Sequence, residues 1–185
     1  MNQIRLMEWR SLLCLSLALS SSACMIFPKS AYDYDFDRES MIENTNGKLE
    51  VVELQSKFIL FRFYNKAKTS AKIIWDDTSL VDVDGQSHRI IHAGTRLIKS
   101  DQSQPATVIP SGAMVSDGVG FADGIQYSGG SWYFTDLVHC STGCSPPKIE
   151  ANYGKFLIFT LAVDLEGKRH EYVAKLALKP AAPTK

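Results

Sequence analysis

Two cysteines four apart stand in the run His139-Cys140-Ser141-Thr142-Gly143-Cys144-Ser145-Pro146-Pro147. Thiols at that spacing around a glycine close a small disulfide loop in an oxidising compartment. With His139 the same residues offer two thiolates and an imidazole, a soft donor set that suits copper. A second group gathers Asp76, Asp77, Asp82 and Asp84 just ahead of His88 and His92. The aspartates suggest Ca²⁺, but an EF-hand register built on Gly85 puts Leu80 first and Ile91 last, where carboxylates are required. They read instead as solvated carboxylates on a hairpin. His88 and His92 share one face of a strand, and with Asp82 or Asp84 across the hairpin they would hold a metal, the plainer alternative being surface or interface roles. Ser79, His88 and Asp82 have the composition of a triad without a Gly-x-Ser-x-Gly elbow or an oxyanion signature. Tyr127, Trp132 and Tyr133 flank Ser128-Gly129-Gly130-Ser131 and form the candidate partner surface, because large aromatics anchor interfaces. No cofactor and no enzymatic activity are expected from these motifs.

Strands must position those residues. From Gly47 onward short runs of branched and aromatic residues alternate with turn residues. Lys48–Leu54 alternates, Lys57–Tyr64 is almost continuously apolar as a central strand would be, and Ala71–Trp75 follows a polar turn, with Trp75 expected in the core. Leu80–Val83 and Ser87–His92 flank Asp84-Gly85, and Phe156–Leu165 and Arg169–Leu178 flank Glu166-Gly167. Both dipeptides suit a two-residue hairpin, since glycine accepts the positive φ of a type I′ turn. In the last strand Tyr172, Ala174, Leu176 and Leu178 alternate with Val173, Lys175, Ala177 and Lys179. The glycine-rich stretch 117–131 reads as an irregular excursion. Eight or nine strands at regular spacing without a convincing amphipathic helix predict an all-β fold, an immunoglobulin-like antiparallel β-sandwich over 48–179. The Cys…Trp…Cys core of antibody-type domains is absent. Lys57-Phe-Ile-Leu-Phe and Lys155-Phe-Leu-Ile-Phe are alike, but their flanks differ and mark two core strands rather than a duplication.

The N-terminus reads as an address. Arg5 and Arg10 precede an apolar core, Leu12–Leu19, and small residues Ser20–Ala23, the layout of a secretory signal over 1–23. That core is too short to span a bilayer, which takes about 20 apolar residues. The small residues ending at Cys24 resemble the lipobox of bacterial lipoproteins, in which the thiol receives a diacylglyceryl group and the chain is cut before it. Ser21 stands where such boxes usually carry leucine. The resemblance implies lipidation at Cys24, with Met25 in place of aspartate implying an outer-membrane destination on the periplasmic side. Residues 24–47 hold Pro28, the alternation Tyr32-Asp33-Tyr34-Asp35-Phe36-Asp37 and a polar run to Gly47, and they read as a lipid-anchored tether. The same alternation also suits an added edge strand or a partner-docking segment. Residues 180–185 form a frayed tail.

The whole chain carries 20 basic and 20 acidic side chains. Loss of 1–23 removes Arg5, Arg10 and Glu8, leaving a near-neutral chain without a basic stripe, which argues against a nucleic-acid partner. Ile74-Trp75-Asp76-Asp77-Thr78-Ser79-Leu80-Val81-Asp82-Val83-Asp84-Gly85, then Ser87–His92, Gln104-Pro105 and Thr107–Pro110, resemble a segment shared by small bacterial lipoproteins of no assigned activity. Ala106 and Ser111 stand where that pattern has a second proline. The spacing of His139, Cys140 and Cys144 is also similar to that of copper-delivery proteins on a thioredoxin fold, although the βαβ context of those proteins is missing here. Together these readings imply a lipid-anchored binding or scaffolding module of the cell envelope, with a protein partner, and as the alternative a copper- or thiol-handling protein. The lipobox resemblance predicts that the expressed chain incorporates labelled palmitate and that Cys24→Ser abolishes the label.

Overall fold

The computed structural model describes residues 34–36, 41–95, 97, 102–138 and 146–180. The signal segment, Cys24, His139, Cys140, Cys144 and the tail beyond Pro180 lie outside the described residues. The fold is all-β and antiparallel, a curled, sandwich-like arrangement with one short helix. The strands are β1 (Tyr34–Phe36), β2 (Met41–Glu43), β3 (Gly47–Leu54), β4 (Ile59–Asn65), β5 (Ala71–Ile73), β6 (Ser79–Val81), β7 (Ser87–His92), β8 (Thr107–Ile109), β9 (Met114–Phe121), β10 (Ile125–Ser128), β11 (Ser131–Phe134), β12 (Phe156–Leu165) and β13 (Lys168–Pro180). A 3₁₀ turn spans Trp75–Asp77, and the helix α1 spans Pro146–Glu150.

One layer is built on the β12–β13 hairpin. Leu165 pairs with Lys168, and Glu166 and Gly167 take φ values of 56° and 76°, the two positive values that a type I′ turn demands. The free edge of β12 then takes β6 along Ile158–Thr160 and β5 along Val163–Leu165, with β8 beyond β5. The second layer runs β2-β3-β4-β9, and β4 is central as its continuous apolar run requires. Phe61 of β4 meets Phe159 of β12 at 5.2 Å between ring centroids, and Phe63 meets Tyr172 of β13 edge-on at 4.9 Å. The core therefore lies between the layers, filled by the alternate residues of each strand. In β3 the alternation slips after Val51, because Val52 is an extra, exposed residue in a bulge; Leu54 then returns to the core one residue past the expected parity.

Strand β7 joins the layers. Ser87–Arg89 pairs with β6 in the first layer, and Ile90–His92 pairs with β9 in the second. Gln104 fixes this crossing, its amide donating to Ile90 O at 2.7 Å while its carbonyl accepts from Thr95 Oγ1 at 2.8 Å.

Three sequence expectations change. The tether reading of 24–47 fails at both described parts: β1 pairs with the edge of β13 and β2 with the edge of β3. Tyr34 and Phe36 are only 5% and 4% exposed, and the Tyr34 hydroxyl donates to Ile149 O and accepts from Asn152 Nδ2. Burial of two aromatic faces and a satisfied hydroxyl outweigh the polar composition around them. The domain thus begins ahead of residue 48. The stretch 117–131 is not irregular, since β9 runs unbroken through Gly118 and Gly120. A Cβ on Gly120 would lie 2.7 Å from Lys57 O and 3.1 Å from the Phe58 ring, so glycine marks close approach here rather than a loop. Finally, the turn at Asp84-Gly85 has three residues between the Asp82 and Gln86 pair, with Gly85 alone at positive φ. Asp82 Oδ1 accepts from the backbone N–H groups of Asp84 and Gln86 and so favours this wider turn.

Phe36→Ala is expected to destabilise the fold by about 3 kcal/mol, the cost of truncating a buried phenylalanine. A residue in a free tether would move stability by no more than about 0.5 kcal/mol in the same denaturant titration.

Candidate functional site: an aromatic ridge and its anchored base

Strands β10 and β11 form a two-stranded sheet of their own, joined by Gly129 and Gly130 at φ of 56° and 83°. Tyr127 pairs with Trp132 across the ladder, their rings 5.0 Å apart, and Tyr133 points to the other face opposite Gln126. Tyr127, Trp132 and Tyr133 are 62%, 39% and 54% exposed. All three residues expected to form a partner surface thus crown one hairpin. Two-residue glycine turns hold such a hairpin narrow, so its side chains project from both faces.

The base of the hairpin is tied to the body in two ways. On the face of Tyr127 and Trp132, Phe134 packs edge-on against Phe58 at 5.1 Å. There a largely apolar cavity of about 360 Å³ opens between Phe58, Leu60, Ile91, Leu97 and Phe134. His92 borders it, stacked flat on Trp75 at 4.0 Å with Nδ1 3.0 Å from Asp117 Oδ2. Trp75 itself is buried and donates its indole N–H to Thr107 Oγ1.

The second tie is polar. His88 Nδ1 lies 2.7 Å from Asp123 Oδ2, and Nε2 lies 3.1 Å from Asp82 Oδ2, with the ring resting on Phe121 at 4.2 Å. A cleft of about 210 Å³ surrounds this bridge, bordered also by Gln86, Thr135 and Asp136. Burial pulls the His88 pKa down, but the hydrogen bonds and charges of Asp123 and Asp82 outweigh it and raise the net value above the ordinary one. Burial pushes Asp82 up, and the N–H of Gln86, the His88 ring and the N–H of Asp84 together bring its carboxyl below the usual range. Gly124 O then closes the hairpin base by accepting from Thr135 N and Thr135 Oγ1.

The remaining candidates do not converge. His88 and His92 are four apart on β7, but the strand changes layers between them and each ring finds its own carboxylate. Asp76 accepts from Gln104 N and Ser103 Oγ, Asp77 pairs with Arg169 and Asp84 with Lys155. The four aspartates thus serve four separate contacts, and among the described residues no group of three His, Cys, Asp or Glu is placed to hold a metal ion. Both nitrogens of His88 face carboxylates, and Ser79 pairs with Arg89 rather than with His88. His139, Cys140 and Cys144 lie outside the described residues. What sequence reasoning missed is Asp123, thirty-five residues from His88 and in no motif with it.

No family model and no curated protein matches the chain. Among solved structures it is similar to the X-ray structure of Northeast Structural Genomics Consortium target SoR45, at 16% identity, with a TM-score of 0.30, over 77% of this chain and 90% of that one. A likeness at that level identifies neither a fold family nor an activity.

Gly120→Ala is expected to push Phe58 off Phe134 and destabilise the fold by about 1–3 kcal/mol, as overpacking does. Thermal unfolding together with the ring-proton shifts of Phe134 checks both halves of that statement.

Proposed function

We propose that this protein is a binding module that meets a protein partner through the aromatic ridge of β10 and β11. The observation that supports this most is the exposure of Tyr127, Trp132 and Tyr133 together on a hairpin outside the main sheet. Aromatics left in water on a rigid support lose little conformational entropy on docking, which is why they dominate interface energetics. The hairpin is rigid where it must be, at its base, and open where contact occurs, at its tip. Lipid on Cys24 holds the module to the periplasmic face of the outer membrane, an assignment that rests on the lipobox resemblance. With β1 part of the domain, the stretch between Cys24 and Tyr34 sets its reach from the lipid. The role is presentation of the ridge to an envelope assembly rather than catalysis.

A photo-crosslinking residue placed at Tyr133 is expected to give a discrete protein adduct in living cells. The same residue at Val173, exposed on the outer face of β13, is expected to give none. Equal labelling from both positions, or none from position 133, would remove the support for the ridge as a docking surface.

A further inference from the structure

One side chain joins the β6–β7 turn to the root of the aromatic hairpin. His88 reaches Asp82 in that turn with one ring nitrogen and Asp123, two residues before β10, with the other. An imidazolium donates from both nitrogens, whereas a neutral imidazole donates from one and presents a lone pair at the second. Two N–H donors therefore satisfy both carboxylates at once. A neutral ring leaves one carboxylate facing a lone pair at hydrogen-bond distance, an arrangement that repels.

We propose that His88 is a protonation-gated clasp, which ties the root of the β10–β11 hairpin to the β6–β7 turn when charged and releases it when neutral. The role of this clasp in binding rests on the reading of that hairpin as the docking ridge.

The surroundings decide which arm lets go. The side chain of Asp82 is 13% exposed, and its second oxygen is held by the N–H groups of Asp84 and Gln86 at 2.9 and 2.8 Å. Asp123 is 55% exposed. Asp82 keeps the neutral ring and Asp123 swings out, taking Gly124 and the start of β10 with it. The charged groups around His88 are Asp82 from the β6–β7 turn, Asp123 from the β9–β10 turn and Asp136 after β11; Gln86 and the Phe121 ring complete the contacts. Asp123 and Asp82, one at each ring nitrogen, favour the charged ring, in agreement with the raised pKa of His88. A raised folded value means that the clasp is fully closed below the ordinary histidine range, near pH 6.5, and opens as pH rises through the folded value.

The test follows the full chain by NMR between about pH 5.5 and 8.5, a window that brackets ordinary histidine titration. It reads the His88 ring shifts alongside the exchange protection of the Ile125–Phe134 amides, corrected for the intrinsic pH dependence of exchange. Protection is expected to fall severalfold with the same midpoint as His88, while β12 and β13 stay unchanged. Asp123→Asn is expected to lower the His88 midpoint and flatten the hairpin profile, and His88→Gln to flatten it as well. Hairpin protection indifferent to the titration of His88 overturns the clasp, as does a profile that persists unaltered in Asp123→Asn. Failure of the docking reading shows separately: cross-linking from position 133 would then be absent at both ends of the pH range while the protection profile still followed His88.

Discussion

The divided pairing of β7 is the constraint on which the rest of the structure depends. Its first half belongs to β6 and its second half to β9, so six residues stitch two layers into one curled sheet. Across the change of partner between Arg89 and Ile90 the two histidines meet different surroundings. His92 stacks on Trp75 beside Asp117, and His88, its side chain 13% exposed, lies between two aspartates.

Much of this fold could be read directly from residue types. The clean alternation of Tyr172, Ala174, Leu176 and Leu178 is the buried face of β13, and Glu166-Gly167 forms the turn its composition suggests. The apolar run 57–64 supplies the central strand β4, which is paired on both edges, by β3 and by β9, and buries Ile59, Phe61 and Phe63 on its inner face. Other features were hidden for identifiable reasons. Gly118 and Gly120 imitate a loop in sequence, yet they are strand positions where the backbone and side chains of β4 and its approach crowd in. Tyr34 and Phe36 sit among aspartates, and their burial depends on an edge of β13 that lies far away in the chain. Edge pairing of this kind is decided by tertiary context, which local composition cannot carry.

The candidate site divides in the same way. Its aromatic residues were legible as a candidate partner surface, although the glycine pair between Tyr127 and Trp132 read as part of an irregular excursion rather than as a hairpin turn. Its base was not legible. Asp123 and His88 meet only because β7 and β9 pair, and Phe134 meets Phe58 only because the hairpin folds back over the second layer. The apolar cavity and the carboxylate cleft lie at the two sides of that base, one formed by packing and the other by charge. A rigid root and an open tip are what a docking element requires, because contact made by a preordered surface loses less free energy to ordering.

The central claim, that the aromatic ridge stands in solvent while the core aromatics do not, is tested most directly by acrylamide quenching of tryptophan emission. With Trp9 replaced by phenylalanine, only Trp75 and Trp132 emit. Trp75 is 1% exposed and Trp132 is 39% exposed. The account predicts two populations, a blue-shifted one that resists quencher and a red-shifted one that is readily quenched and disappears in Trp132→Phe. A single, uniformly protected population would place Trp132 inside the body and contradict the account.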